Sequence, residues 1–129
     1  MNLIGVDIVE VKRIEQLVKK WESRFLNRIF SHEELLYCKT RYDRLAGRLA
    51  VKEATLKALG SSSAGISWKD IQVINRPRRS PTIYLSGKAR EYSDNLGIDQ
   101  WAVSISHTDQ TAIAFVMASK KCTSAVHIK

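Results

Sequence analysis

The sequence predicts an α+β domain, with a mostly antiparallel sheet packed against helices. Three observations predict it. An apolar run opens the chain at Leu3-Ile4-Gly5-Val6, three- and four-residue apolar spacings follow, and a hairpin of strand-like residues comes last. The resulting order of strand, helices, strands, helix and hairpin is that of an α+β domain.

Residues Asn2 to Val9 read as a buried strand. From Glu10 to about Glu22 the pattern is helical, because Val11, Ile14, Leu17, Val18 and Trp21 share one face. Lys12, Arg13, Lys19 and Lys20 gather on the other. Arg24-Phe25-Leu26-Asn27-Arg28 then sets two arginines around apolar side chains. Ser31-His32-Glu33-Glu34 has capping-box spacing, so a helix starts at His32. Tyr42 or Asp43 opens the next helix, which ends at Leu59 with Gly60 as its terminating glycine. On that helix Leu45, Leu49, Leu56 and Leu59 form the main apolar stripe, and Arg44, Arg48, Lys52 and Thr55 form a polar arc. Ser61 to Gly65 is a small-residue loop. Ile71 to Ile74 and Thr82 to Leu85 read as strands around a polar turn, Ser86 to Asn95 as a short helix closed by Gly97, and Trp101 to His107 with Thr111 to Ala118 as a hairpin. One domain is expected over 1–118, with a polar tail over 119–129.

The chain of 129 residues is 26% charged and 44% apolar, as a globular protein is. Its apolar stretches are shorter than a membrane span, and no signal peptide opens it, so a cytoplasmic protein without a membrane partner is expected. Cys38 and Cys122 fit free thiols in a reducing compartment. With no CxxC or Cys/His cluster, a structural zinc site is not expected. The net charge of +8 calls for an anionic partner. Charge alone does not choose among anions, but no arginine-rich tail or RNP-like strand supports nucleic acid.

Chemistry enters through two carboxylates in apolar company. Asp7 interrupts the first strand, and Glu53 falls between the leucine stripe and the Ala46/Ala50 side of its helix, away from the polar arc. A carboxylate beside a core costs several kcal/mol unless something positive meets it. Two such groups on different elements suggest a shared cation, and Mg²⁺ suits one or two carboxylates completed by water and substrate phosphate. Lys57 lies one turn beyond Glu53. It can form an ordinary helix ion pair with it or serve a phosphate oxygen. His107 ends its strand beside the hairpin turn, where a structural role and a ligand contact both remain open. No GxSxG, Walker or GxGxxG pattern is present.

Ile4-Gly5-Val6-Asp7-Ile8-Val9-Glu10, then Gly47-Arg48-Leu49-Ala50-Val51-Lys52-Glu53-Ala54 with Lys57-Ala58-Leu59-Gly60, then Val103-Ser104-Ile105-Ser106-His107-Thr108 occur in that order. Over Asn2 to Ala118 this resembles bacterial holo-acyl-carrier-protein synthase, a single-domain 4′-phosphopantetheinyl transferase. The resemblance implies transfer of 4′-phosphopantetheine from coenzyme A to a serine of an acidic apo acyl carrier protein, releasing adenosine 3′,5′-bisphosphate. It implies Mg²⁺ on Asp7 and Glu53, coenzyme phosphate on Lys57, and coenzyme contacts at Arg48, Gly60, His107 and Thr108. Arg13, Arg24, Phe25 and Arg28 match the carrier-docking surface. It further implies a homotrimer with sites between chains. The last strand adds to this, because Ile113, Phe115 and Met117 on one face and Ala112, Ala114 and Val116 on the other are apolar and need cover on both sides. The general base stays open between Glu53 acting through a water and a metal-bound water. The chain departs from the family at Ser61 to Gly65, where G-T-G-I is usual, at Arg79-Ser80-Pro81, where G-K-P is usual, and at Leu56, often a serine.

Overall fold

The computed structural model describes residues 2–60 and 65–120. The Ser61–Ala64 part of the small-residue loop, Cys122 and the rest of the tail from residue 121 lie outside these. The elements are β1 (Asn2–Glu10), α1 (Val11–Trp21), α2 (Ser23–Ile29), α3 (His32–Cys38), α4 (Tyr42–Leu59), β2 (Ile71–Ile74), β3 (Thr82–Leu85), α5 (Gly87–Asn95), β4 (Ile98–His107) and β5 (Thr111–Lys120). The architecture is α+β, as expected. Strands β1, β5 and β4 form an antiparallel sheet in that order, and β2 and β3 form a separate antiparallel pair.

Three boundaries differ from the sequence reading. Ser23–Ile29 is helical, and its apolar residues follow the helical rather than the strand period, with Ile29 buried and Phe25 half-buried. Strand β4 begins at Ile98, ahead of Trp101, with a register shift between Ile98 and Gln100. Strand β5 continues through Ser119 and Lys120, which pair with Gln100 and Ile98, so the sheet outlasts the expected start of the tail. Backbone pairing with a flanking strand prolonged β5 where side-chain character signalled its end.

Helix α4 lies across one face of the three-stranded sheet and is the spine of the core. Leu45 and Leu49 are buried with Val9, Ile14, Phe30, Ala112, Ala114 and Val116, and Leu59 is buried with Ile98 and Ala118. Each large apolar side chain so buried contributes about 1.5–3 kcal/mol. Close approach of α4 to β1 depends on Gly5, because a Cβ there would overlap the Ala54 carbonyl oxygen of the helix. Three of the four residues of the polar arc do not face water. Arg48, Lys52 and Thr55 are all buried, and Lys52 pairs with Glu34 at 2.9 Å inside the protein. A wheel sees the hydropathy of a side chain but not its partner, and a fully paired ammonium can be interior.

The opposite face of the sheet is open in the single chain. Ile4, Val6 and Ile8 of β1 stand beside Met117, Phe115 and Ile113 of β5. Ile4 is 58% exposed, Ile8 61% and Phe115 46%. Strand β5 is apolar on both faces, and the fold of one chain covers only the Ala112, Ala114, Val116 side.

Candidate active site

The site forms where α4 crosses β1. Asp7 lies two residues along the strand from Gly5, on the same helix-facing side. Glu53 precedes Ala54, the residue whose carbonyl meets Gly5. The crossing therefore brings Asp7 and Glu53 together, near enough for their carboxyls to share a hydrogen bond. Lys57, one turn on, donates to Asp7 Oδ1 at 2.9 Å and to the Val6 carbonyl at 3.1 Å. Its partner across the crossing is thus Asp7, and the simple Glu53–Lys57 helix pair is not the observed ion pair.

Burial pushes the Glu53 carboxyl up to about 7, reinforced by the hydrogen bond and charge of Asp7 and offset in part by Arg13 and Lys57. Burial also pushes Asp7 upward, but its hydrogen bonds with Glu53 and Lys57 and the charge of Lys57 outweigh that and hold it below its ordinary value. Each carboxylate thus disfavours ionisation of the other, and Glu53 is the one that holds its proton to the higher pH. Asp7 Oδ2 has no hydrogen-bond partner among the described residues. Two adjacent oxygen donors, one with a free lone pair, and a lysine alongside fit a hard divalent cation carrying substrate phosphate. Among the described residues no group of three or more His, Cys, Asp or Glu side chains is placed to hold a metal ion.

A second group lies toward the other end of α4. Arg48 stacks its guanidinium over the Tyr37 ring at 4.4 Å, donates to Asn75 Oδ1 and to the Arg44 carbonyl at 3.4 Å, and leaves its Nε without a partner among the described residues. Arg44 sits over the same ring at 4.7 Å. His107 Nδ1 is 3.8 Å from Asp43 Oδ2. Thr108 Oγ1 accepts from the Gln110 and Thr111 backbone N–H groups, so it shapes the hairpin turn. Gly60 closes α4 in the left-handed region (φ 92°), at the Lys57 end of the helix. Arg48, His107 and Thr108 thus make their contacts with Tyr37, Asn75, Asp43 and the hairpin turn, whereas Lys57 makes its contact with Asp7. Asp43 and Lys57 are separated by roughly 20 Å at about 1.5 Å per helical residue. Tyr37 and Asn75 were not singled out from the sequence, and Arg44 only as part of the polar arc. Each is an ordinary surface residue type there, and only the fold stacks them around Arg48.

The third group is the α1–α2 surface. Leu17, Trp21, Arg24, Phe25 and Arg28 line a cavity of about 320 Å³. Trp21, the last residue of the predicted buried stripe of α1, is 43% exposed and lies within cation–π range of Lys20 and Arg24. The slot is apolar at Leu17, Trp21 and Phe25 and rimmed by the cations Arg24 and Arg28. Arg13 lies on the same helix and contributes its charge to Glu53, linking this surface to the carboxylates.

The sequence profile of the 4′-phosphopantetheinyl transferase superfamily matches residues 3–116. The holo-[acyl-carrier-protein] synthase of Herpetosiphon aurantiacus is 40% identical over 124 residues, covering 91% of this chain and 98% of that protein. That of Dehalococcoides mccartyi strain 195 is 45% identical over 118 residues, covering 92% and 98%. The crystal structure of Helicobacter pylori holo-[acyl-carrier-protein] synthase in complex with coenzyme A superposes with a TM-score of 0.80 at 38% identity, covering 91% of this chain and all of that one. The chain belongs to the 4′-phosphopantetheinyl transferase superfamily.

Proposed function

From that membership we propose that the chain is a holo-acyl-carrier-protein synthase. It transfers 4′-phosphopantetheine from coenzyme A to a serine hydroxyl of an apo acyl carrier protein. The serine oxygen forms a bond to the β-phosphorus, the phosphorus–oxygen bond to the 5′-phosphate breaks, and adenosine 3′,5′-bisphosphate leaves. The observation that carries the reading is the Asp7–Glu53 carboxylate pair with its unpartnered Asp7 Oδ2.

In this reading Asp7 and Glu53 hold Mg²⁺, which when bound neutralises charge on the pyrophosphate. Lys57 orients a phosphate oxygen, its ammonium being 2.9 Å from Asp7 and its side chain largely exposed to an arriving ligand. Glu53 takes the serine proton through a water. Most of the catalysis is positioning and electrostatic stabilisation. Arg13, Arg24 and Arg28 meet the acidic carrier, with Phe25 and Trp21 supplying the apolar contact.

The enzyme works as a homotrimer with sites between chains. The exposed apolar face of β1 and β5 supports an assembly. So does the distance of His107, beside Asp43 at the start of α4, from Lys57 near its end. Coenzyme A carries its 3′-phosphate and its 5′-pyrophosphate on one ribose, so His107 and Lys57 serve one molecule best when they come from different chains. The cytoplasm and a carrier of fatty acid biosynthesis complete the reading, and among the described residues no helix is long and apolar enough to cross a membrane.

Incubation with apo acyl carrier protein, coenzyme A and Mg²⁺, followed by intact-mass measurement, tests the activity. A mass gain of one phosphopantetheine per carrier is expected. An unchanged carrier mass with folded enzyme present would refute it.

A further inference from the structure

Lys52 and Glu34 form a polar network that the reaction does not use. Both side chains are fully buried and 2.9 Å apart. The Lys52 ammonium also donates to the Trp68 carbonyl at 3.1 Å and to the Ile71 carbonyl. Three donors thus meet three acceptors. Glu34 Oε1 also accepts from the Ser31 N–H at 2.9 Å, and Oε2 accepts from the Val73 N–H at 3.0 Å. One pair of side chains therefore joins the capped start of α3, the middle of α4 and the backbone entering β2.

An interior like this one could accept a methionine at position 52 without the desolvation cost of a charge. What a methionine would lack is direction. Three hydrogen bonds fix where the Lys52 side chain points and so fix the rotation of α4 about its axis. The other side of the helix is fixed as well, because Ala54 rests on Gly5 of β1 with no room for a Cβ between them. Successive helical residues are about 100° apart, so Lys52 and Ala54 flank Glu53 by that angle on either side. With both neighbours pinned, Glu53 is left facing the strand position of Asp7.

We infer that the buried Glu34–Lys52 pair is a positioning device for the catalytic carboxylate: it sets the rotation of α4 that aims Glu53 at Asp7. Lys52 and Glu34 touch no substrate and act through Glu53. The inference rests on the reading of Asp7 and Glu53 as cation ligands.

The test is Mn²⁺ binding, followed by the loss of the free-ion electron paramagnetic resonance signal, on the folded protein with coenzyme A present. Lys52→Met/Glu34→Gln removes both charges and leaves neither unpaired, so the fold should persist, with a melting temperature lowered by the lost hydrogen bonds to the Trp68 and Ile71 carbonyls and to one backbone N–H. Its Mn²⁺ affinity is expected to fall tenfold or more, and the Mg²⁺ concentration for half-maximal turnover to rise in step, with KM for the carrier unchanged. A purely structural pair would leave Mn²⁺ affinity per folded molecule at the wild-type value, and that result would overturn the inference. Glu34→Asp is the second variant. It keeps both charges but draws Lys52 toward α3 by one methylene, and a several-fold loss of Mn²⁺ affinity is expected from it. Wild-type affinity in this variant would likewise overturn the proposal. Absence of Mn²⁺ binding by the wild-type protein would instead sink the cation reading itself, and the inference with it.

Discussion

Helix α4 carries two lysine–carboxylate bridges of the same length, 2.9 Å, that have opposite characters. Lys52–Glu34 is sealed in the interior, and every one of its charged atoms has a protein partner. Lys57–Asp7 lies at the surface, with the lysine side chain 59% exposed and Asp7 Oδ2 unpartnered among the described residues. The first is complete and needs nothing from outside. The second has a spare oxygen, a second carboxylate competing for protons and a lysine open to solvent. Unused valence at a crossing of two rigid elements, more than charge itself, marks the place where a ligand belongs.

The contrast gives variants that should separate cleanly. Asp7→Asn or Glu53→Gln should lose about a hundredfold or more in turnover, several kcal/mol of transition-state stabilisation, while metal-free melting temperature holds or rises. Steady-state rates and thermal melts on the same samples check this. Lys52→Met alone should behave the other way, leaving Glu34 buried and unpaired at a cost of about 3–5 kcal/mol in stability. Urea denaturation reads that loss directly. Next in size is the open sheet face. Phe115→Asp should shift the sedimentation mass to that of a monomer and remove activity, whereas a wild-type protein that is already a monomer at all concentrations would defeat the trimer proposal.

Smaller effects follow at the periphery. Arg24→Glu with Arg28→Glu should raise KM for the carrier and weaken its salt dependence, with KM for coenzyme A nearly unchanged. Equal damage to both substrates would make these arginines structural. The pH dependence of the metal-free protein should be smallest. Glu53 titrates at about 7 in the folded protein against an ordinary 4.5, so the folded state holds the extra proton between those values. Stability present below about pH 4.5 is then lost as the pH rises through 7, by on the order of 1 kcal/mol after allowance for solvent screening. Asp7, held below its ordinary value, adds stability only above the usual carboxylate range and has no slope in this window. Chemical denaturation at pH 5 and pH 8 should show the fall in wild type and a flat response in Glu53→Gln.

The two bridges were unequally legible in the sequence. Asp7 stood out because a strand of apolar residues gave it a contrasting background, and Glu53 because it left the polar arc. The Ser31 capping box and the Gly60 stop were legible for the same local reason, and both formed as expected. The burial and pairing of Lys52 and Glu34 were not legible, since Lys52 read as part of a polar arc and Glu34 only as a capping-box residue, and their partnership joins segments eighteen residues apart. Trp21 misled in the opposite sense. Its place on the apolar face of α1 suggested burial, but α1 ends there and the ring stands half-exposed beside Arg24 and Phe25 of α2. Local pattern records periodicity and caps, whereas the pairing of side chains from distant segments exists only once the fold has been made.

The cation reading is tested most directly by counting the metal. Mn²⁺ titrated into wild-type protein with coenzyme A, with the free ion followed by electron paramagnetic resonance, should bind one ion per chain, and Asp7→Asn should weaken that binding by at least tenfold while remaining folded. Equal binding by both proteins, or none by wild type, would contradict the assignment of Asp7 and Glu53 as the metal-holding pair.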